Sequence, residues 1–161
     1  MARYTAYTTG FTTIHFHMLQ QELQPIIKSI MEKEIHAIVT KKMIEVINER
    51  VYDAYEPTLY ERRRGNGGLS DPANIEGSWI SDDVYEIMNT TKSQYSYYPR
   101  LDKIIITGYG YNWRGSRIYR EAPIKRDFIA GTIDALVDSE KELARAFADG
   151  LRGKGFEVTT S

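Results

Sequence analysis

A long helical repeat of apolar residues near the N-terminus constrains the fold more than any other feature. Between Leu19 and Val51 apolar side chains recur at steps of three and four, the period of an amphipathic α-helix. Pro25 suits a first helical turn, where its missing amide costs no hydrogen bond, so the regular helix is predicted from about Gln24 to Asp53. Such a helix is on the order of 45 Å long, and part of its stripe is expected to pack on another copy or partner.

A second amphipathic helix is predicted near the C-terminus, after Pro123. Its apolar residues recur with helical spacing: Ile129, Ile133, Leu136, Leu143, Phe147 and Leu151. Gly150, Gly153 and Gly155 follow as candidate C-caps. The helix and its cap are therefore assigned to residues 122–156.

Turn-forming residues and β-branched residues fill the middle of the chain. Residues 54–74 are rich in Gly, Pro and Asn and predict a long loop. Residues 75–91 and 101–111 hold β-branched and aromatic side chains, which predict strands within a β region of residues 75–121. The pattern therefore predicts an α+β fold, with long N-terminal and C-terminal amphipathic helices packed on a small antiparallel β-sheet.

The length of the chain bounds its domain organisation. A chain of 161 residues can bury one core comfortably, so a single domain covering residues 1–161 is expected. In this division residues 1–18 form an extended N-terminal arm and residues 19–53 the long helix. The threonine-rich, aromatic arm is expected to add a strand to a neighbour's sheet.

Composition excludes several classes of protein. The chain has no cysteine, which excludes disulfides, thiolate metal sites and thiol nucleophiles. A net charge of −1 and a pI near 6.3 argue against nucleic-acid binding over the whole surface. No apolar run approaches the roughly 18 to 20 residues that a membrane span requires. The sequence predicts a soluble, intracellular protein without membrane contact.

Several short motifs resemble parts of active sites, but each lacks a residue that the site requires. His15 and His17 would share one face of a strand, yet no third ligand lies nearby to complete a metal site. The glycines at residues 108–110 lack the third glycine of a dinucleotide loop, and residues 65–68 lack the Lys-Ser/Thr ending of a phosphate loop. We therefore expect no enzyme activity, catalytic residue, metal or cofactor.

Arginine and aromatic residues are interleaved in the second half of the chain, with an arginine run before them. Such a mixture suits either phosphate gripping and base stacking or the core and rim of a protein interface. The near-neutral charge favours protein contact, while a nucleic-acid-binding module using residues 109–126 stays an alternative. The candidate interface residues are Tyr4, Tyr7, Phe11, Arg62, Arg63, Arg64, Trp113, Arg114, Arg117, Arg120 and Arg126.

The C-terminal third carries a resemblance to a known family. The entry PIKRDFI at residues 123–129 leads into a helix that ends ADGLRGKGF, and the Gly68-Leu69-Ser70 turn lies upstream. This order of helix, Gly-Leu turn, small sheet and last helix resembles the tail-completion proteins of tailed bacteriophages, the HK97 gp10-like neck or minor virion proteins. The usual Thr-Gly-x-Leu turn of that family stands here as Gly67-Gly68-Leu69 in an arginine-rich loop.

The resemblance implies a structural virion protein of the neck, made in the host cytoplasm. Its expected partners are further copies of itself in a ring of six or twelve, portal-side connector or adaptor proteins, and tail-tube or tail-terminator proteins. DNA would pass nearby without sequence-specific binding. A tail terminator or a head-side adaptor protein is the alternative within the same class.

Overall fold

A computed structural model of the chain describes residues 13–54, 61–93, 100–108 and 126–159, with side chains from residue 21 onward. The chain groups into two compact units. The first unit takes its residues from Met1–Ala37 and Lys141–Ser161, and the second is Ile38–Glu140. Helices and a small antiparallel sheet confirm the predicted α+β class.

A single long helix runs from Thr13 to Tyr52 in four consecutive segments. They are α1 (Thr13–Ile30), a first π-helical turn (Met31–Ile35), α2 (His36–Ile47) and a second π-helical turn (Asn48–Tyr52). The backbone at the junctions Ile30 and Ile47 is α-helical, so the helix is unbroken. A π turn bonds residues five apart, and Ile30 and Ile35, with that spacing, are both buried.

The helix begins earlier than the sequence predicted. Residues 13–18 are helical, so the assignment of all of residues 1–18 to an extended arm is wrong over that part, and residues 1–12 lie outside the described residues. Pro25 lies inside the helix rather than in its first turn. Pro25 and Gln21 are both exposed, so water can satisfy the carbonyl that a proline four positions later leaves unbonded.

Among the described residues, the sheet is a hairpin of two strands. β1 (Ile75–Trp79) pairs antiparallel with β2 (Tyr85–Asn89), with Ile75 opposite Asn89 and Trp79 opposite Tyr85. The two strands both come from the block at residues 75–91, because the turn-forming run Ser-Asp-Asp interrupts it and the amide of Ile80 donates to the carbonyl of Val84 over 3.0 Å.

The predicted strand at residues 101–111 is wrong over its described part. Leu101–Thr107 is a helix, α3, which ends at Gly108 with φ of 72°. Ile104 and Ile105 are buried, and Leu101 packs on the core one turn before them. This spacing of three and four fits a helix rather than a strand. Packing on one face has overridden the β propensity of three consecutive isoleucines.

A long loop was predicted at residues 54–74, and its described residues 61–74 contain one short helical element. Pro72–Asn74 forms a 3-10 turn, and the side chain of Asp71 accepts the amide of Ala73 at its start. The combination of an N-cap aspartate with proline at the first helical position explains why the turn forms.

The C-terminal helix is two helices. They are α4 (Phe128–Asp138) and α5 (Glu140–Gly153), with Ser139 between them in a non-helical conformation. The first begins at Phe128, later than predicted, because the side chain of Asp127 accepts the amide of Ala130 over 2.9 Å and caps it.

The core of the second unit joins the end of the long helix to the hairpin, α3 and α4. Its buried members are Met43, Val46, Ile47, Val51, Tyr52, Leu69, Ile75, Ile105 and Phe128. Phe128 and Ile47 are fully enclosed.

In the first unit α5 packs closely on α1. A side chain at Gly150 would lie 2.9 to 3.1 Å from three carbons of Ile30, which is 1% exposed. None of the helices within the described ranges combines the length and apolarity that a membrane crossing needs.

Candidate interface surfaces

Arginine side chains of the 61–64 segment are fixed on the ring of Tyr52. The guanidinium carbons of Arg62 and Arg64 lie 5.5 and 5.2 Å from the ring centroid, within the range of cation–π attraction. Arg62 also donates to the carbonyl of Tyr52. Arg63 donates over 2.9 Å to the carbonyl of Lys92. We call Arg62, Arg63, Arg64 and Lys92 the arginine patch; the side chains of Arg64 and Lys92 are exposed.

The loop after the arginines, residues 65–70, is held from several sides. Tyr52 accepts the amide of Leu69 at its hydroxyl over 3.1 Å. Asp71 accepts the amides of Gly67 over 2.6 Å and Ala73 over 2.9 Å, and these two hydrogen bonds lower the pKa of its carboxyl below the ordinary value. Gly67 has φ of 73°, a conformation that glycine adopts without strain.

A buried polar network ties this loop to the base of the hairpin. Asn89, 1% exposed, donates to the carbonyl of Leu69 over 2.7 Å. Thr91, fully buried, places its hydroxyl 2.6 Å from the side-chain oxygen of Asn89 and 3.3 Å from the carbonyl of Gly68. Asn74 donates to the same carbonyl over 2.9 Å. Because buried polar groups need partners, this network fixes the loop against that end of the hairpin.

An ion pair fixes the entry to α3 on the same hairpin end. Arg100 contacts both carboxylate oxygens of Asp102, at 2.8 and 2.6 Å, and donates to the carbonyl of Asn89 over 3.1 Å. The hydrogen bonds that Arg100 donates to the Asp102 carboxylate raise the pKa of the guanidinium above its ordinary value. The geometry is that of a fork-shaped arginine bound to a carboxylate that is almost fully buried.

The opposite end of the hairpin is an exposed apolar and acidic turn. We call residues 80–84 the hairpin tip. Ile80 is 62% and Val84 44% exposed, and the exposed Asp82 and Asp83 lie between them. Beneath the tip the rings of Trp79 and Tyr85 contact each other with centroids 5.0 Å apart. Two exposed apolar side chains that flank the same turn make the hairpin tip a candidate for contact with another protein surface.

A second exposed apolar surface lies on α4. Ile133 and Val137, four positions apart and therefore on one face, are 57% and 67% exposed. The face of α4 that packs inward presents Phe128, Gly131 and Thr132. Ile133 belongs to the apolar stripe that the sequence shows, and in the structure it is exposed. We call Ile133 and Val137 the α4 face.

The predicted interface residues divide into two groups. Arg62, Arg63 and Arg64 lie together in the arginine patch, while Arg126 is half-buried and donates its backbone amide to the carbonyl of Ile105 over 3.2 Å. The other predicted residues lie outside the described ranges: Tyr4, Tyr7, Phe11, Trp113, Arg114, Arg117 and Arg120.

Two apolar surfaces were missed by sequence reasoning. The hairpin tip carried a signal, since Ile80 and Val84 flank a polar turn where loops are usually polar throughout. On α4 the sequence offers two apolar rows, and the burial of Phe128, Gly131 and Thr132 in the structure shows which side of the helix faces inward.

Metal ligands do not cluster in the described part of the chain. Among those residues no group of three or more His, Asp or Glu side chains could hold an ion. The backbone at His15 and His17 is helical, so the strand spacing that would align two imidazoles does not apply there.

Comparison with curated proteins and with solved structures finds no match. One family model, named YomN, matches residues 15–153. YomN is a phage-derived family, which supports a bacteriophage protein at a coarser level than the tail-completion resemblance. Because the match spans most of the sequence, from the long helix to the end of α5, the chain belongs to the YomN family.

Proposed function

We propose that the protein is a structural component of the phage neck, which assembles with copies of itself into a ring at the joint between head and tail. The observation that carries the proposal is the pair of exposed apolar surfaces on separate elements of the second unit. The hairpin tip and the α4 face are different surfaces, with side chains that are 44% to 67% exposed. A ring is built from heterologous contacts, so each subunit needs two different contact surfaces.

The chemistry of these surfaces suits protein contact better than catalysis. Exposed isoleucine and valine gain free energy when they leave water, by about 25 cal/mol for each Å² of apolar area. Arg62 and Arg64 of the arginine patch stack on Tyr52, and the side chain of Arg64 is exposed, as arginines at interface rims are. The phage-derived family and the order of helix, Gly-Leu turn, hairpin and last helices support a place among tail-completion proteins.

The test is a nonsense codon early in this gene, in a phage that carries it. Electron microscopy of the lysate is expected to show DNA-filled heads beside separate, finished tails. Suppression of the codon in a permissive host should restore joined particles and serves as the control. Normal infectious particles without the protein would contradict a role at the joint, and empty heads would move the protein to an earlier step.

A further inference from the structure

The hairpin separates a negatively charged apolar turn from a positively charged patch. The hairpin tip carries Asp82 and Asp83 and no basic residue, a formal charge of −2. The arginine patch has four cationic side chains and one acidic neighbour in sequence, the exposed Glu61. The two regions are therefore complementary in charge.

The two regions lie at opposite ends of the same hairpin. The arginine patch is fixed at the base, through the bond of Arg63 to Lys92 and the bonds of Asn89 and Thr91 to the glycine-containing loop. The tip lies beyond Trp79 and Tyr85. Five-residue strands at ~3.3 Å per residue separate the ends by roughly 16 Å. The tip of one subunit is therefore too far away to contact its own arginine patch.

We propose that the hairpin tip of one subunit docks on the arginine patch of a second copy of this chain. The exposed faces of Ile80 and Val84 become buried in that contact, and Asp82 and Asp83 face Arg64 and Lys92 of the neighbour. The contact is heterologous, since it joins two different surfaces, and it repeats from one subunit to the next. This inference rests on the proposed self-assembly. It pairs the hairpin tip with the arginine patch and leaves the α4 face for a separate contact of the same assembly.

Disulfide trapping tests the contact directly, because the chain has no cysteine. Ser81→Cys places a thiol on the tip and Asn66→Cys one beside the arginine patch. A disulfide needs Cα atoms within about 7 Å, so the pair cannot close within one subunit. The doubly substituted chain is expected to give a ladder of covalent dimers, trimers and larger species on oxidation. Each single-cysteine variant should give only a low yield of covalent dimer. A control chain with Ser81→Cys and Arg145→Cys should do the same.

Charge reversal supplies a second readout in the same assay. Asp82→Lys with Asp83→Lys should lower the ladder yield more than tenfold, because like charges then face each other. Lys92→Glu should also lower the ladder yield. Combining Lys92→Glu with the two tip substitutions in one chain should recover part of the yield, because opposite charges then face each other again. Added salt should lower the ladder yield of the chain that carries the two cysteines and no charge reversal, because salt screens exposed charge pairs.

The outcomes separate this contact from the proposed function. A ladder that ends at one largest species supports both the contact and a ring, and a ladder without an end supports the contact and overturns the ring. No ladder from a chain that still sediments as an oligomer overturns the contact alone. A chain that stays monomeric at high concentration and gives no ladder overturns the contact and the self-assembly together.

Discussion

At Gly68 the backbone passes too close to its neighbours for any side chain to fit. A β-carbon there would lie 2.2 Å from the carbonyl oxygen of Arg64, 2.6 Å from its amide nitrogen and 2.9 Å from the Tyr52 hydroxyl. Two of these atoms are backbone, so they cannot move aside without opening the loop. The glycine is thus a requirement of packing at the point where the arginine patch meets Tyr52.

Gly68→Ala is expected to lower the free energy of unfolding by about 2 kcal/mol or more, because overpacking against backbone forces the loop apart. Urea denaturation followed by circular dichroism measures it. Gly65→Ala is the matched control in the same loop, since its nearest atom is 4.0 Å away. Equal stability of the two variants would contradict the close approach at Gly68.

The carboxyl of Asp71 makes stability depend on pH. Two backbone amides lower its pKa in the folded state below the ordinary value of 3.8. A depressed folded-state pKa stabilises the folded state above the unfolded pKa, and this stabilisation is lost as pH falls through the folded pKa.

Asp71→Asn should therefore destabilise the protein at pH 7, and the difference from the wild type should shrink as pH falls below about 4. Denaturation midpoints measured from pH 7 to pH 2 test this, with Glu61→Gln as a control that removes an exposed charge from the same segment. A difference that stays constant with pH would show that the carboxylate charge is not what matters.

At the scale of secondary-structure elements, the sequence pattern alone predicts some elements, while tertiary packing determines others. The long helix was predictable because its apolar repeat continues over many turns. The identity of α3 was not, because three isoleucines favour a strand and only their packing positions reveal a helix. The break at Ser139 was also hidden, since the apolar residues on either side keep helical spacing in the sequence.

The contact between α5 and α1 gives a prediction at the scale of elements. Gly150→Ala is expected to destabilise the protein although alanine favours helix by about 1 kcal/mol over glycine, because Ile30 is buried and has no room to move. Gly153→Ala, with nothing within 4 Å of the new carbon, should be neutral or stabilising. Thermal unfolding compares the two, and a stabilised Gly150→Ala variant would mean that the helices are less tightly packed.

At the scale of the whole molecule, the proposed assembly uses apolar surfaces that the core leaves exposed. The arginines of the predicted interface could be found from the sequence because arginine runs beside aromatic residues are conspicuous. The α4 face could not, because its exposure depends on which apolar row of the helix the fold covers. The hairpin tip carried only the weaker signal of two apolar residues that flank a polar turn. In the proposed assembly, recognition and stability therefore depend on different faces of α4.

Ile133→Lys with Val137→Lys should change the free energy of unfolding by no more than about 0.5 kcal/mol, because both side chains are more than half exposed. The variant should nevertheless fail to assemble in sedimentation velocity. Phe128→Ala, from the enclosed face of the same helix, should cost about 3–5 kcal/mol instead. Full assembly of the lysine variant would remove the α4 face from the proposed interface.

The second π-helical turn, at Asn48–Tyr52, changes the direction in which the side chains after it leave the helix. Ile47 and Tyr52 are five residues apart and both reach the core, which an uninterrupted α-helix would not allow on one face. Deleting one residue from this turn would allow regular α-helical hydrogen bonds. It would also rotate the side chain of Tyr52 away from the core. We expect the shortened chain to keep its helical far-ultraviolet signal and lose cooperative unfolding. The length of the helix, counted in single residues, is thus part of what holds the arginine patch in place.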